Sequence, residues 1–235
     1  MRRALAASLA LGWIMPLGCA ISLTPAASQP RESSGSPVRY VALGDSYTIG
    51  TGVSPVDRWP DRLVERLHAQ VTLQLVANLA VNGYTSADVI AFELPDLASL
   101  DPQFVTLLIG VNDVVEGVPS ASYRANVDRI LGAVLAFVPN DRMVIVSTPD
   151  YTRTPRGADF GNPERQRAGI ATVNSIMAQA AAGRGIAFVD IGSVAVQAGR
   201  DRSLVAGDGL HPSGAQYALW VDLIAPVAES LFGGV

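Results

Sequence analysis

Two short polar motifs contain the residue types that acyl transfer requires. Gly44-Asp45-Ser46 ends an apolar run, and Asp208-Gly209-Leu210-His211 lies near the C-terminus. A serine hydroxyl becomes an effective nucleophile when a histidine removes its proton, and that histidine needs a carboxylate to fix its tautomer. Asp208 stands three residues before His211, so a tight loop can bring their side chains together. We therefore predict Ser46 as the nucleophile, His211 as the general base and Asp208 as its carboxylate partner.

Two further motifs supply hydrogen-bond donors. Gly83 lies in NLAVNGYTS, and Asn112 lies in GVND. A tetrahedral intermediate needs N–H groups aimed at its oxyanion. The backbone N–H groups of Ser46 and Gly83, together with the Asn112 amide, fit that task.

Each of these residues also fits a local structural role. Ser46 is typical of a turn or a helix cap, Gly83 of a turn with positive φ, and Asn112 of a turn in which the side chain bonds its own backbone. Asp208 could instead be a solvated charge in a loop, with no catalytic role. The occurrence of all four motifs in one chain favours the catalytic interpretation.

An alternation of short apolar runs and helical patterns must position these motifs. Strands are predicted at Arg39–Leu43, Leu73–Asn78, Phe104–Ile109, Met143–Ser147 and Ala187–Ile191. Helices are predicted at Trp59–Gln70, Ser86–Leu100, Ser120–Phe137, Pro163–Ala182 and Ser213–Phe232. This alternation predicts a three-layer α/β/α sandwich around a parallel sheet, in which ligands bind beyond the carboxyl ends of the strands. All four motifs would then lie at one edge of the sheet.

The four motifs resemble the four blocks of the SGNH hydrolases, also called the GDSL family, and they occur in the family's order. Along the chain they are GDS, the glycine of NLAVNGYTS, GVND and DGLH. The resemblance covers residues 39–232. It implies a flavodoxin-like five-stranded parallel sheet and a carboxylic ester hydrolase without a cofactor. It also implies a catalytic triad formed by Ser46, Asp208 and His211. The oxyanion hole that it implies is formed by Ser46, Gly83 and Asn112.

Two features have no assigned role. Tyr47 replaces the leucine that follows the serine in the family motif, and we expect this change to affect packing or the pocket. The segment Pro149–Asn162 forms a long loop after the fourth predicted strand. It is either a mobile surface excursion or a pocket wall that Tyr151, Arg153 or Phe160 would supply.

The composition excludes several other chemistries. All 17 basic residues are arginines, so Schiff bases, Ser-Lys dyads and Walker A loops are excluded. The arginines are scattered, which gives nucleic-acid binding little support. His68, the second histidine, is predicted at an exposed or boundary position of a helix. Asp45 and Asp113 are interpreted as structural hydrogen-bond acceptors, and no metal ion is predicted.

The N-terminus indicates export. Arg2 and Arg3 precede an apolar core, which predicts a signal peptide over 1–23. A Ser- and Pro-rich tether, 24–38, then leads into a hydrolase domain, 39–235. The segment Pro16-Leu-Gly-Cys19 resembles a bacterial lipoprotein box, although proline takes the usual place of leucine. Lipid anchoring at Cys19, simple secretion and an uncleaved anchor remain open, and a lipid anchor would be the only predicted link to a membrane.

The sequence therefore predicts an extracytoplasmic serine esterase, in the cell envelope or secreted. Simple monoesters or lysophospholipids are slightly preferred as substrates. A carbohydrate O-acetylesterase or an acyltransferase would use the same residues. A surface binding protein without turnover is the hypothesis from another class.

Overall fold

A five-stranded parallel sheet forms the centre of the computed structural model, which describes residues 36–233. Its strands are β1 (Val38–Gly44), β2 (Leu73–Asn78), β3 (Phe104–Leu108), β4 (Met143–Val146) and β5 (Ala187–Val189). They are arranged in the order β2-β1-β3-β4-β5, and all neighbours are parallel. From β1, the chain adds β2 on one side of the sheet and then β3, β4 and β5 on the other side. The gap between the carboxyl ends of β1 and β3 is therefore the topological switch point, where ligands bind in sheets of this kind.

Helices cover both faces of the sheet. The longer helices are α2 (Trp59–Leu67), α6 (Ser120–Val134), α7 (Pro163–Ala182) and α9 (Gly214–Phe232). The shorter ones are α1 (Ser46–Ile49), α3 (Ser86–Asp88), α4 (Leu97–Leu100), α5 (Val111–Val115) and α8 (Gly192–Ala198). The predicted three-layer α/β fold is confirmed.

The two faces of the sheet form separate hydrophobic cores because successive strand residues point in opposite directions. Tyr40 and Ala42 belong to a core that also contains residues of α2 and α9. Val41 and Leu43 belong to the other core, with residues of α6 and α7. A strand that is buried on both faces in this way shows a continuous apolar run instead of alternation.

The helix predicted over Ser86–Leu100 is interrupted in the structure. A π-helical turn, Val89–Glu93, follows α3, and a 3₁₀ turn, Leu94–Asp96, leads into α4. Pro95 lies just beyond the π-helical turn. It has no N–H to donate, and its ring would clash with the carbonyl four residues earlier, so a regular α-helix cannot continue there.

Other boundaries differ by a few residues. β1 begins at Val38, which pairs with Leu73, so the sheet extends one residue into the predicted tether. Ser213 caps α9 instead of starting it. The predicted signal peptide, Cys19 and most of the tether lie outside the described residues. Within residues 36–233, no helix is long and apolar enough to cross a membrane.

Candidate active site

Ser46 lies at the carboxyl end of β1 as the first residue of α1. Asp45 caps this helix, because its carboxylate accepts the backbone N–H of Tyr47 at 3.0 Å. Gly44 has a φ of +150°, and a Cβ at this position would lie 2.3 Å from the carbonyl oxygen of Leu108 on β3. Only glycine fits this close approach. The turn thus brings Ser46 to the edge of the sheet at a fixed position.

The predicted base and its carboxylate partner come together in a tight loop. The Oδ1 atom of Asp208 accepts the backbone N–H groups of Leu210 and His211 at 2.9 and 3.0 Å. Its Oδ2 lies 2.6 Å from Nδ1 of His211. Gly209 permits the turn through a positive φ of +75°. On the other side of the imidazole, Nε2 of His211 lies 3.0 Å from Oγ of Ser46.

The surroundings of Asp208 favour its ionised form. Burial raises the pKa of this carboxyl group, but hydrogen bonds from the His211 ring and from two backbone N–H groups outweigh that effect. The pKa of Asp208 is therefore below its usual value. A carboxylate at Nδ1 holds the imidazole proton on that atom, so Nε2 is left to accept the proton of Ser46.

Gly83 and Asn112 line the same cavity as Ser46 and His211. Gly83 has a φ of +85°, and a Cβ there would meet no atom within 4 Å. Its backbone conformation, and not a lack of space, therefore favours glycine. Asn112 donates one amide hydrogen to the carbonyl oxygen of Tyr84 at 2.8 Å, which leaves the second available. The N–H of Ser46 is also available, because the first N–H groups of a helix have no partner within the helix.

The cavity has a volume of about 190 Å³ and a mostly apolar wall. Its apolar and aromatic lining consists of Tyr47, Val111, Val115, Tyr151, Phe160 and Leu210, and Asn82 adds a polar group. Four of the lining residues were not predicted from the sequence, namely Asn82, Val111, Val115 and Leu210. Three of them are direct neighbours of motif residues, and this adjacency is the signal that could have identified them.

The loop Pro149–Asn162 forms one wall of the cavity. Tyr151 and Phe160 line it, with their ring centroids 5.8 Å apart in an edge-on contact. Arg153 does not line the cavity, and its Nε pairs with Asp150 at 3.1 Å. The backbone N–H of Arg156 donates to the carbonyl oxygen of Gly209 at 3.0 Å. This bond joins the wall to the loop that carries His211.

The other polar residues considered above lie outside the hydrogen-bonded chain of Asp208, His211 and Ser46. His68 is exposed just beyond the end of α2. Asp113 accepts both the backbone N–H and the hydroxyl of Ser86, at 2.9 and 2.5 Å, and Asp45 caps α1. Over residues 36–233, no group of three His, Cys, Asp or Glu residues is arranged to hold a metal ion.

Comparison with known families agrees with this geometry. Residues 42–219, which include all four motifs, match the GDSL-like lipase/acylhydrolase family. The chain belongs to this family. It is thus a GDSL-type carboxylic ester hydrolase, and its similarity to SGNH hydrolases is confirmed.

Individual relatives share this description. A lipase from Streptomyces rimosus is 25% identical over an alignment 224 positions long, and the alignment covers 81% of this chain and 81% of that one. The lipase/acylhydrolase from Enterococcus faecalis has a TM-score of 0.66 and 22% identity, over 82% of this chain and 96% of that one. An acetylxylan esterase from Geobacillus stearothermophilus has a TM-score of 0.64 and 19% identity, over 86% and 96% of the two chains. These two solved structures show that the fold is shared.

Tyr47, the departure from the GDSL motif, packs against the imidazole. Its ring centroid lies 5.3 Å from that of His211, and 6.3 Å from that of Trp220 in a stacked arrangement. The side chain is buried, with 3% of its surface exposed. A fixed aromatic ring thus supports one side of the His211 ring.

Replacing Tyr47 with leucine should lower kcat/KM about 3- to 10-fold, because an aromatic pair contributes about 0.5–1.5 kcal/mol beyond its buried area. Tyr47→Phe keeps the ring and should stay close to the wild-type value. The measurement is p-nitrophenyl butyrate hydrolysis, with thermal unfolding of each variant as the control for folding. Equal losses in the two variants would show that the ring does not support His211.

Proposed function

We propose that this GDSL hydrolase is an extracytoplasmic serine esterase that works through an acyl-enzyme on Ser46. The observation that carries the proposal is a continuous hydrogen-bonded chain. It runs from Asp208 to Nδ1 of His211, at 2.6 Å, and from Nε2 of His211 to Oγ of Ser46, at 3.0 Å. Ser46, at the end of this series of hydrogen bonds, lines a mostly apolar cavity that can hold the acyl group of an ester.

The reaction proceeds in two proton-coupled steps. Nε2 of His211 takes the hydroxyl proton of Ser46 while Oγ attacks the ester carbonyl carbon. The oxyanion then accepts hydrogen bonds from the N–H groups of Ser46 and Gly83 and from the Asn112 amide. Collapse of this intermediate breaks the bond to the alcohol, which takes the proton from His211. Water attacks the acyl-enzyme in the same way, and the acid is released from Ser46.

The size and lining of the cavity favour short acyl groups. Its volume of about 190 Å³ is below the ~300–1,000 Å³ of sites for drug-sized ligands. Among residues 36–233, no arginine lines the cavity, so these residues offer no arginine to the phosphate of a lysophospholipid. Simple short-chain monoesters are therefore the favoured substrates.

A carbohydrate O-acetylesterase is the second candidate. An acetyl group fits a cavity of this size, and Asn82 supplies a polar group among the lining residues. The solved structure from Geobacillus stearothermophilus that shares this fold is named an acetylxylan esterase. Acyl transfer to an alcohol would use the same acyl-enzyme, with the alcohol in place of water.

The proposed location depends on the N-terminal sequence. Two arginines followed by an apolar segment are typical of a signal peptide. Lipid anchoring at Cys19 and release by signal cleavage are both compatible with an esterase that acts outside the cytoplasm.

Ser46→Ala should abolish hydrolysis of p-nitrophenyl acetate and butyrate, because the nucleophilic oxygen is removed while the fold stays intact. A fluorophosphonate probe should label the wild-type chain at Ser46 and should leave Ser46→Ala unlabelled. Circular dichroism controls for folding. Activity retained in the alanine variant would refute the assignment, and a folded wild type without labelling would support a binding protein.

Phe160→Ala should shift the preferred acyl chain towards greater length, because removal of this ring enlarges the cavity. We expect the kcat/KM ratio of octanoate to acetate p-nitrophenyl esters to rise about 10-fold, the lower end for a change of one methylene in an apolar pocket. Phe137→Ala is the matched control, since Phe137 is 44% exposed and does not line the cavity. An unchanged ratio in Phe160→Ala would show that this wall does not limit chain length.

A further inference from the structure

Glu93 is a buried acid with no role in the reaction described above. It is 1% exposed and ends the π-helical turn Val89–Glu93, next to the sheet. Its Oε2 accepts the backbone N–H of Gly44 at 2.9 Å. Among the described residues, its Oε1 has no hydrogen-bond partner.

The bond to Gly44 secures the strand end that carries the nucleophile. Pairing between β1 and β2 ends at Ala42 and Asn78, two residues before Gly44. β2 therefore offers no partner to Gly44, and the carboxyl group of Glu93 accepts its N–H instead. Gly44 lies two residues before Ser46, so Glu93 restrains the backbone that aims the Ser46 N–H.

The groups that face Glu93 disfavour a negative charge. The pKa of Glu93 is raised to about 9, mainly by burial and also by the acidic Asp45 and Asp88, while the hydrogen bond from the Gly44 N–H acts in the opposite direction. Burial also raises the pKa of Asp45, to about 7. On α6, which packs against the same turn, the buried titratable residue is Tyr123, and burial raises its pKa well above the usual value. At neutral pH, Glu93 is therefore a neutral acid.

We propose that Glu93 is a protonated positioning residue that holds the end of β1, and that its ionisation sets the upper pH limit of hydrolysis. The proposal rests on the role of Ser46 given above. An ionised Glu93 would be a buried charge beside Asp45, and both its desolvation and this repulsion oppose the observed turn. Oxyanion binding would weaken as the Ser46 N–H loses its alignment.

The same ionisation affects stability. The folded chain keeps the Glu93 proton up to about pH 9, whereas the unfolded chain loses it near the ordinary value of 4.5. Because the folded state binds more protons in this window, the contribution of Glu93 to the free energy of unfolding falls as pH rises through it. A glutamine at position 93 would remove this dependence.

The test compares Glu93→Gln with Glu93→Ala in the full chain. Glutamine keeps an oxygen that can accept the Gly44 N–H and cannot ionise, whereas alanine removes the acceptor. The measurement is kcat for ethyl butyrate by pH-stat titration, divided by the number of active sites that a fluorophosphonate labels. Loss of folded protein alone lowers the number of labelled sites and leaves kcat per site unchanged.

We expect wild-type kcat to fall reversibly by about 10-fold by about one pH unit above the pKa of Glu93. Glu93→Gln should stay near its neutral-pH value over the same range, and Glu93→Ala should have a lower kcat at every pH. Glu65→Gln, which changes an exposed glutamate on α2, should keep the wild-type alkaline fall. If the alanine variant does not fold, urea unfolding of wild type and Glu93→Gln supplies the second measurement. The difference between their unfolding free energies should then widen in favour of glutamine as pH rises.

If the kcat of Glu93→Gln falls at alkaline pH as much as the kcat of the wild type does, ionisation of Glu93 does not set the upper pH limit. A neutral-pH kcat in Glu93→Gln as low as that of Glu93→Ala would overturn the positioning role. A constant difference in unfolding free energy between wild type and Glu93→Gln across the pH range would overturn the pH role of Glu93. Failure of the proposed function looks different, because Ser46→Ala would then remain active or the probe would label another residue.

Discussion

The close approach of Gly44 to β3 is the constraint on which the site depends. A Cβ at this position would lie 2.3 Å from the carbonyl oxygen of Leu108, so β1 and β3 meet here without an intervening side chain. The chain turns at once into α1, which places the hydroxyl of Ser46 3.0 Å from Nε2 of His211. Buried strands move little, whereas loops move more readily. Ser46, the proposed nucleophile, therefore keeps its position directly after such a strand without support from substrate.

Carboxyl groups near this turn lie in two different environments. Asp208 accepts hydrogen bonds from two backbone N–H groups and from His211, and its pKa is lowered. Glu93 and Asp45 are buried with few donors, and burial raises the pKa of each, to about 9 and about 7. A carboxyl group can therefore be ionised beside an imidazole, as proposed for Asp208, or be a neutral acid that accepts a backbone hydrogen bond, as proposed for Glu93. Different environments in one fold thus allow an ionised and a protonated carboxyl group to be present at the same pH.

The sequence was sufficient for the sheet, the long helices and the residues that meet at its edge. Buried strands and amphipathic helices have a periodicity of their own, and Ser46, Asp208 and His211 have chemistry that few other arrangements need. The contribution of Glu93 could not be predicted, because it arises from a tertiary contact. For Tyr47, the sequence predicted an effect on packing or the pocket, which agrees with its burial and its place in the cavity wall, but it did not predict the contact with His211. A π-helical turn before Pro95 places Glu93 beside Gly44. Pro95 indicates only that a regular helix is interrupted there, and not which turn precedes it or which residue that turn brings to Gly44. Likewise, only the folded chain shows that the ring of Tyr47 lies against His211.

The most direct test of a serine nucleophile fixed at the end of β1 is to trap the acyl-enzyme. The full chain is mixed with p-nitrophenyl butyrate, quenched in acid within the first turnover, digested, and analysed by mass spectrometry. The account predicts one butyryl group on the peptide that contains Ser46, with fragmentation placing it on that residue. A butyryl group on another residue would contradict the account.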